Sequence, residues 1–143
     1  VRGDHQRLAQ VLRNLLGNAL RVAPDNSEID VVISSLHEHA VISVYDHGPG
    51  IPEDEIEYIF YKFVQSSNTK GNSGGTGLGL AICNEIVELH NGWIRGGNRP
   101  DGGAIFAFAI PLIRGFEFSK SDRHHDFSPP TSLVSVALEE SAL

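Results

Sequence analysis

The sequence predicts an α/β domain of two layers, with helices stacked on one face of a β-sheet. Three observations carry that expectation. Apolar residues recur at three- and four-residue steps in two stretches, strand-like runs rich in β-branched or apolar residues follow each of them, and glycine and asparagine clusters punctuate the joins. The implied order is helix, two strands, short helix, long loop, helix, two strands, giving a mixed and mostly antiparallel sheet on about three helices. With 143 residues, 41% of them hydrophobic, the chain can fill a single core. We expect one domain over residues 1–113 and a C-terminal tail over 114–143.

The first helix is expected from about Asp4 to Ala23. Leu8, Val11, Leu12, Leu15, Leu16 and Ala19 make one apolar face, Asp4 is placed to cap the start, and Pro24 ends the run. Asn14 and Asn18 project from the same side of that helix, and Arg21 points the same way. The β-branched runs Ile29 to Ile33 and Ala40 to Tyr45, parted by polar Ser34 to His39, suggest a hairpin whose second strand ends at Asp46. A turn holding Gly48 and Gly50 follows. The acids of Pro52-Glu-Asp-Glu-Ile56 suit a helix start, so a short helix to about Ile59 is expected.

From Phe60 to Gly77 the residues are too polar and glycine-rich to supply a core, and the stretch has the length of a lid. Helical spacing returns with Leu80, Ile82, Cys83, Ile86, Val87 and Leu89 and stops at Asn91-Gly92. Two last strands, Trp93 to Gly96 and Ala104 to Pro111, flank the turn Arg99-Pro-Asp-Gly-Gly103. Beyond Arg114 come a polar linker, a Pro-rich turn and a short apolar run from Leu133 to Leu138, for which strand, helix and disorder all stay open.

Composition excludes several classes. The net charge of -7 and the lack of a basic patch argue against a general nucleic-acid binder. No apolar run is long enough to span a bilayer, and the start does not read as a signal peptide, so neither membrane contact nor export of this piece is expected. Lone Cys83 allows no internal disulfide and suits a reducing, cytoplasmic setting. No G-x-x-x-x-G-K-[ST] segment exists, so any phosphate site is not a P-loop.

Five segments then fall into a known order. Arg7-Leu-Ala-Gln-Val-Leu-Arg-Asn14-Leu-Leu-Gly-Asn18-Ala resembles an asparagine box, Asp46-His-Gly48-Pro-Gly50-Ile51-Pro a first glycine box, and Ile59-Phe60-Tyr-Lys-Phe63 a phenylalanine box. Gly75-Thr76-Gly77-Leu78-Gly79-Leu80-Ala-Ile resembles a second glycine box, and Arg99-Pro-Asp-Gly-Gly-Ala-Ile-Phe106 the closing strand pair. Together they are similar to the catalytic, ATP-binding domain of two-component sensor histidine kinases, in the superfamily shared with gyrase, heat-shock chaperone and mismatch-repair ATPases. The resemblance implies a Bergerat-type fold with an ATP lid and the cofactors ATP and magnesium.

It also implies roles. Asn18 becomes the magnesium ligand, a neutral oxygen beside a crowded triphosphate. Asn14 supports the metal or its waters, and Arg21 donates to phosphate oxygens. Asp46 accepts from the exocyclic amine of adenine, Gly48 and Gly50 let the backbone pass close to the ring, and Ile51 is a further nucleotide-binding residue. Gly75, Thr76, Gly77, Leu78, Gly79 and Leu80 bring backbone N–H groups to the phosphates at a helix N-terminus, with Lys70 as a basic lid residue. Phe60 and Phe63 hinge the lid on the core. His47 departs from the small polar residue expected there.

In the chaperone and topoisomerase relatives a glutamate at the position of Asn14 activates water, and an amide cannot take a proton. Phosphoryl transfer to a histidine is therefore favoured over self-contained hydrolysis. No His-acid-apolar-x-x-Pro segment precedes Asp4; His37-Glu38-His39 sits in the hairpin turn, and His125-Asp126-Phe127-Ser128-Pro129-Pro130 falls on the wrong side of the domain. The acceptor is expected on a separate dimerisation and phosphotransfer domain of the same parent, with a response-regulator receiver domain downstream and the isolated domain monomeric. An ATP-driven clamp, a regulatory serine kinase and a degenerate nucleotide-binding module remain the alternatives.

Overall fold

A computed structural model describes residues 1–68, 76–113 and the backbone of 134–136. Helix α1 (His5–Val22) begins at Asp4, whose carboxylate accepts from the backbone N–H of Gln6 at 2.9 Å and of Arg7 at 3.1 Å. These bonds, the one from Arg7 first, hold the Asp4 carboxyl below the usual range of a carboxylate. At the other end Ala23 is extended, as a residue before proline prefers. Val11, Leu15 and Ala19 form the buried stripe between these limits.

Strands β1 (Ile29–Leu36) and β2 (His39–Tyr45) make the expected hairpin, but its turn is tighter than the sequence suggests. Ser34 and Ser35 stay in the ladder opposite Val41 and Ala40, because the outer end of a strand tolerates hydroxyls, and the turn shrinks to His37-Glu38, with His37 at φ 54°. The chain then crosses through helix α2 (Gly79–Leu89) to the second hairpin, β3 (Trp93–Asn98) and β4 (Ala104–Pro111). Strand β5 (Val134–Val136), within the apolar run of the tail, pairs with β1, completing the order β3-β4-β2-β1-β5.

Two expectations need correction. The sheet is not mixed: every ladder among the described residues is antiparallel, since the two hairpins dock through β2 and β4, which run in opposite directions. The helices number two, not three, among the described residues. Residues 52–59 form consecutive turns, closed by Glu55 N–H to Pro52, Tyr58 N–H to Glu55 and Ile59 N–H to Glu55 carbonyls. Acids at the start favour a helix, but too few residues follow to offset the cost of nucleation before Ile56 and Ile59 turn into the core.

Helix α1 lies over β1 and β2, α2 over β3 and β4, and the core fills the space between the layers. Leu15, Ile110, Val11 and Val87 are fully buried there, with Cys83 among them. A smaller cluster of Val41, Ala107 and Ala109 with Leu36 and Trp93 occupies the opposite sheet face. At the far end of α2, His90 ties the two helices: Nδ1 donates to the Ile86 carbonyl at 2.7 Å and Nε2 accepts the Asp4 N–H at 2.9 Å.

Leu15→Ala is expected to cost about 3 kcal/mol, because the closed core cannot collapse onto the void; urea unfolding measures it. Burial raises the Cys83 thiol from 9.0 to about 11. The unfolded chain therefore loses this proton at lower pH than the folded one, and stability present below pH 9 falls as pH rises toward 11. Cys83→Ala should flatten that part of a stability-against-pH profile.

Candidate functional site

A cavity of about 490 Å³ opens between the edge of α1, the end of β2 and the start of α2. Asn14, Asn18 and Arg21 line it from α1, Asp46, Gly50 and Ile51 from the turn after β2, and Thr76, Gly77, Gly79 and Leu80 from the entry to α2. The sequence places these residues up to sixty-odd positions apart; the fold brings all ten to one space. Gly48, Phe60, Phe63 and Leu78 are not on its lining, and Lys70 and Gly75 lie outside the described residues.

Asp46 is 1% exposed, which demands partners for its charge. Its Oδ1 accepts from the backbone N–H of Gly48 at 2.8 Å and of Ala104 at 3.2 Å, while its own N–H donates to the Ala104 carbonyl at 3.0 Å. Both side-chain bonds fall on one oxygen, so Oδ2 is the atom left for a donor in the cavity. Gly48 serves the turn, not the lining: a Cβ there would stand 2.7 Å from Val22 Cγ2.

On the wall that α1 supplies, Asn18 Oδ1 accepts from Arg21 Nη2. Asn14 instead turns to the core side, donating from Nδ2 to the Gly79 carbonyl at 3.3 Å and also bonding the Cys83 thiol, so that it fixes the start of α2 against α1. That start carries neither a side-chain cap nor an acid in its first turn, leaving its N–H groups and positive end facing the cavity side.

The segment between these walls is pinned at its base. Phe63 N–H donates to the Gly77 carbonyl at 2.9 Å, and both residues are left-handed, at φ 66° and 68°. A Cβ on Gly77 would meet the Phe63 carbonyl carbon at 2.8 Å. Phe60 packs edge-on against Phe106, centroids 6.5 Å apart, whereas Phe63 is 76% exposed. Only the first of the expected hinge pair is thus part of the core. An exposed ion pair, Lys62 to Glu85 at 2.8 Å, links the stem to α2 and raises the Lys62 ammonium above its ordinary value.

Sequence reasoning missed Ile59, Phe106 and Ala104, which supply apolar wall and a backbone donor. The first two are indistinguishable from core residues in the sequence, and a backbone N–H leaves no sequence signal. It also missed Asn98 and Arg99, at the tip of the second hairpin. Arg99 forks onto Asp101, which raises the guanidinium and lowers the Asp101 carboxyl.

This architecture has known counterparts. Residues 3–114 match the family described as histidine kinase-, DNA gyrase B- and HSP90-like ATPases. The chain belongs to that family. Over 110 residues it is 43% identical to the adaptive-response sensory kinase SasA of Prochlorococcus marinus strain MIT 9313, an alignment covering 76% of this chain and 30% of SasA. The mycobacterial sensor histidine kinase MprB superposes with a TM-score of 0.73 at 30% identity, covering 78% of this chain and 76% of that structure. Histidine kinase ThkA in complex with response regulator protein TrrA superposes at 0.63 with 35% identity, covering 77% of this chain and 30% of ThkA. The chain thus spans about a third or less of the length of the curated relatives it matches.

Gly103, at φ 95°, sits where a Cβ would collide with the Asp46 carbonyl oxygen. Gly103→Ala should lower the melting temperature by at least about 5 °C in calorimetry, since strain and collision act together.

Proposed function

We propose that this domain binds Mg-ATP and passes the γ-phosphoryl group to a histidine on a separate dimerisation and phosphoacceptor domain of its parent protein, within two-component signalling. The observation that carries this reading is one cavity lined by a buried carboxylate oxygen from the turn after β2 and, from the two helices, by an amide, a guanidinium and an uncapped helix start. Adenine fits beside the carboxylate, because Asp46 Oδ2 can accept its amino group and would meet the acceptor oxygen of guanine with repulsion. A polyphosphate fits beside the helices, through the N–H groups after Gly77 and the Arg21 fork.

Asn18 is the residue to hold magnesium. Its Oδ1 already receives a cationic group, Arg21, and one neutral amide oxygen suits an ion that keeps several waters and takes phosphate oxygens. Bound there, the ion would neutralise charge on the triphosphate. Asn14, occupied with the Gly79 carbonyl and unable to take a proton, cannot itself act as a base for water. An imidazole nitrogen of the acceptor would instead attack the γ-phosphorus, the bond to the β–γ bridging oxygen would break, and ADP would leave with that electron pair. Thr76, Leu78, Gly79 and Leu80, with Lys70 and Gly75 from outside the described residues, complete the proposed phosphate contacts.

The ThkA complex with TrrA supports a response regulator as the downstream partner. A monomeric isolated domain, working in the cytoplasm, belongs to the same proposal, as do the boundary at residue 113 and a separate tail.

Titration of labelled ATP in the presence of magnesium tests the site: Asp46→Ala should weaken binding at least about 50-fold, losing a buried charge-assisted bond. Equal binding by wild type and variant overturns the assignment. Asn18→Ala should abolish the gain in affinity that magnesium gives. Acid-labile phosphate on an added acceptor hairpin supports the kinase, steady phosphate release by the domain alone favours a clamp, and label on serine favours a serine kinase.

A further inference from the structure

The tip of the β3–β4 hairpin grips the glycine turn after β2 at both ends. The side-chain amide of Asn98 lies against Ile51 as a neighbouring strand would: Oδ1 accepts the Ile51 N–H at 2.7 Å and Nδ2 donates to the Ile51 carbonyl at 2.6 Å. Arg99 Nη1 stands 3.1 Å from His47 Nε2 and donates to the Asp46 carbonyl at 3.5 Å. Asn98 and Arg99 are off the cavity lining, whereas the residues on either side of the gripped turn, Asp46, Gly50 and Ile51, are on it. Gly50, at φ 72°, leaves just enough room, since a Cβ there would stand 2.8 Å from Asn98 Oδ1.

We infer that Asn98 is the positioning residue of the base pocket, holding Gly50 and Ile51 at a fixed height relative to Asp46 and so setting how sharply adenine is told from guanine. A single hydrogen bond lets a peptide swing about it, but a donor and an acceptor on one rigid amide fix both polar groups of Ile51 together. Those two groups have no other hydrogen-bond partner among the described residues. Without the amide the turn samples other arrangements, and apparent affinity falls by the fraction still competent. This inference rests on the reading of the cavity as an adenine-nucleotide site.

The test measures ATP and GTP affinity, by competition with a fluorescent nucleotide, for wild type, Asn98→Ala and Asn98→Asp, with nucleotide-free melting alongside. Asn98→Ala should weaken ATP roughly tenfold, narrow the preference for ATP over GTP, and move the nucleotide-free melting temperature by no more than about 4 °C. Asn98→Asp keeps an acceptor for the Ile51 N–H but faces the Ile51 carbonyl without a donor until its carboxyl is protonated. Its affinity relative to wild type should therefore recover as pH falls from about 7.5 toward 5. The charged and titratable groups around it are Arg99 and Asp101 on the hairpin tip, Asp46 and His47 on the gripped turn, and Asp30 of β1 near Arg99; the wild type shares them all, so the ratio isolates residue 98. Unchanged ATP affinity in Asn98→Ala, or a loss that tracks melting while the ATP to GTP preference stays fixed, overturns the inference alone. A wild type that binds no ATP overturns the cavity assignment with it.

Discussion

The buried carboxylate of Asp46 is the constraint around which the rest is arranged. A charge at 1% exposure survives only where backbone N–H groups meet it, and the two that do come from different places, Gly48 in its own turn and Ala104 on the neighbouring hairpin. Meeting that need fixes the register of β4 against the end of β2, demands the missing Cβ at Gly103 and brings the hairpin tip over the turn. The polar demand of one side chain thus organises two hairpins.

The wall that the helices supply works by a contrary economy of charge. Its α1 residues include two neutral amides, Asn14 and Asn18, and two exposed arginines, Arg13 and Arg21, and Asn14 spends its hydrogen-bonding capacity on the start of α2. A carboxylate at Asn14 would face a carbonyl it cannot bond. The choice of an amide is therefore structural as well as chemical: it welds the two helices where the cavity needs α2 to begin.

Much of this was legible because it rests on short-range rules. Asp4 and Pro24 bounded α1, the spacing of Val11, Leu15 and Ala19 gave its buried face, and Asn91-Gly92 ended α2. The boxes, with Arg21 added from the same side of α1, named ten of the cavity residues, since glycine near phosphate and an acid at a strand end are demanded by chemistry at the site itself. What was not legible depends on distant partners. Residues 52–59 carry a helix start yet turn inward, because Ile56 and Ile59 are drawn to the core before a helix can propagate. Asn98 looks like a turn residue until its amide is seen against Ile51, and Phe63 looks like core until its left-handed backbone turns it outward.

The bond between Phe63 and Gly77 ties the two ends of the intervening stretch together at its base. In polymer terms the ring is already shut, so the entropic toll of a longer or shorter stretch grows only with the logarithm of its length, roughly 0.6 kcal/mol per doubling. A change in the length of that stretch therefore costs the fold far less than a change at Phe63 or Gly77, where its ends meet.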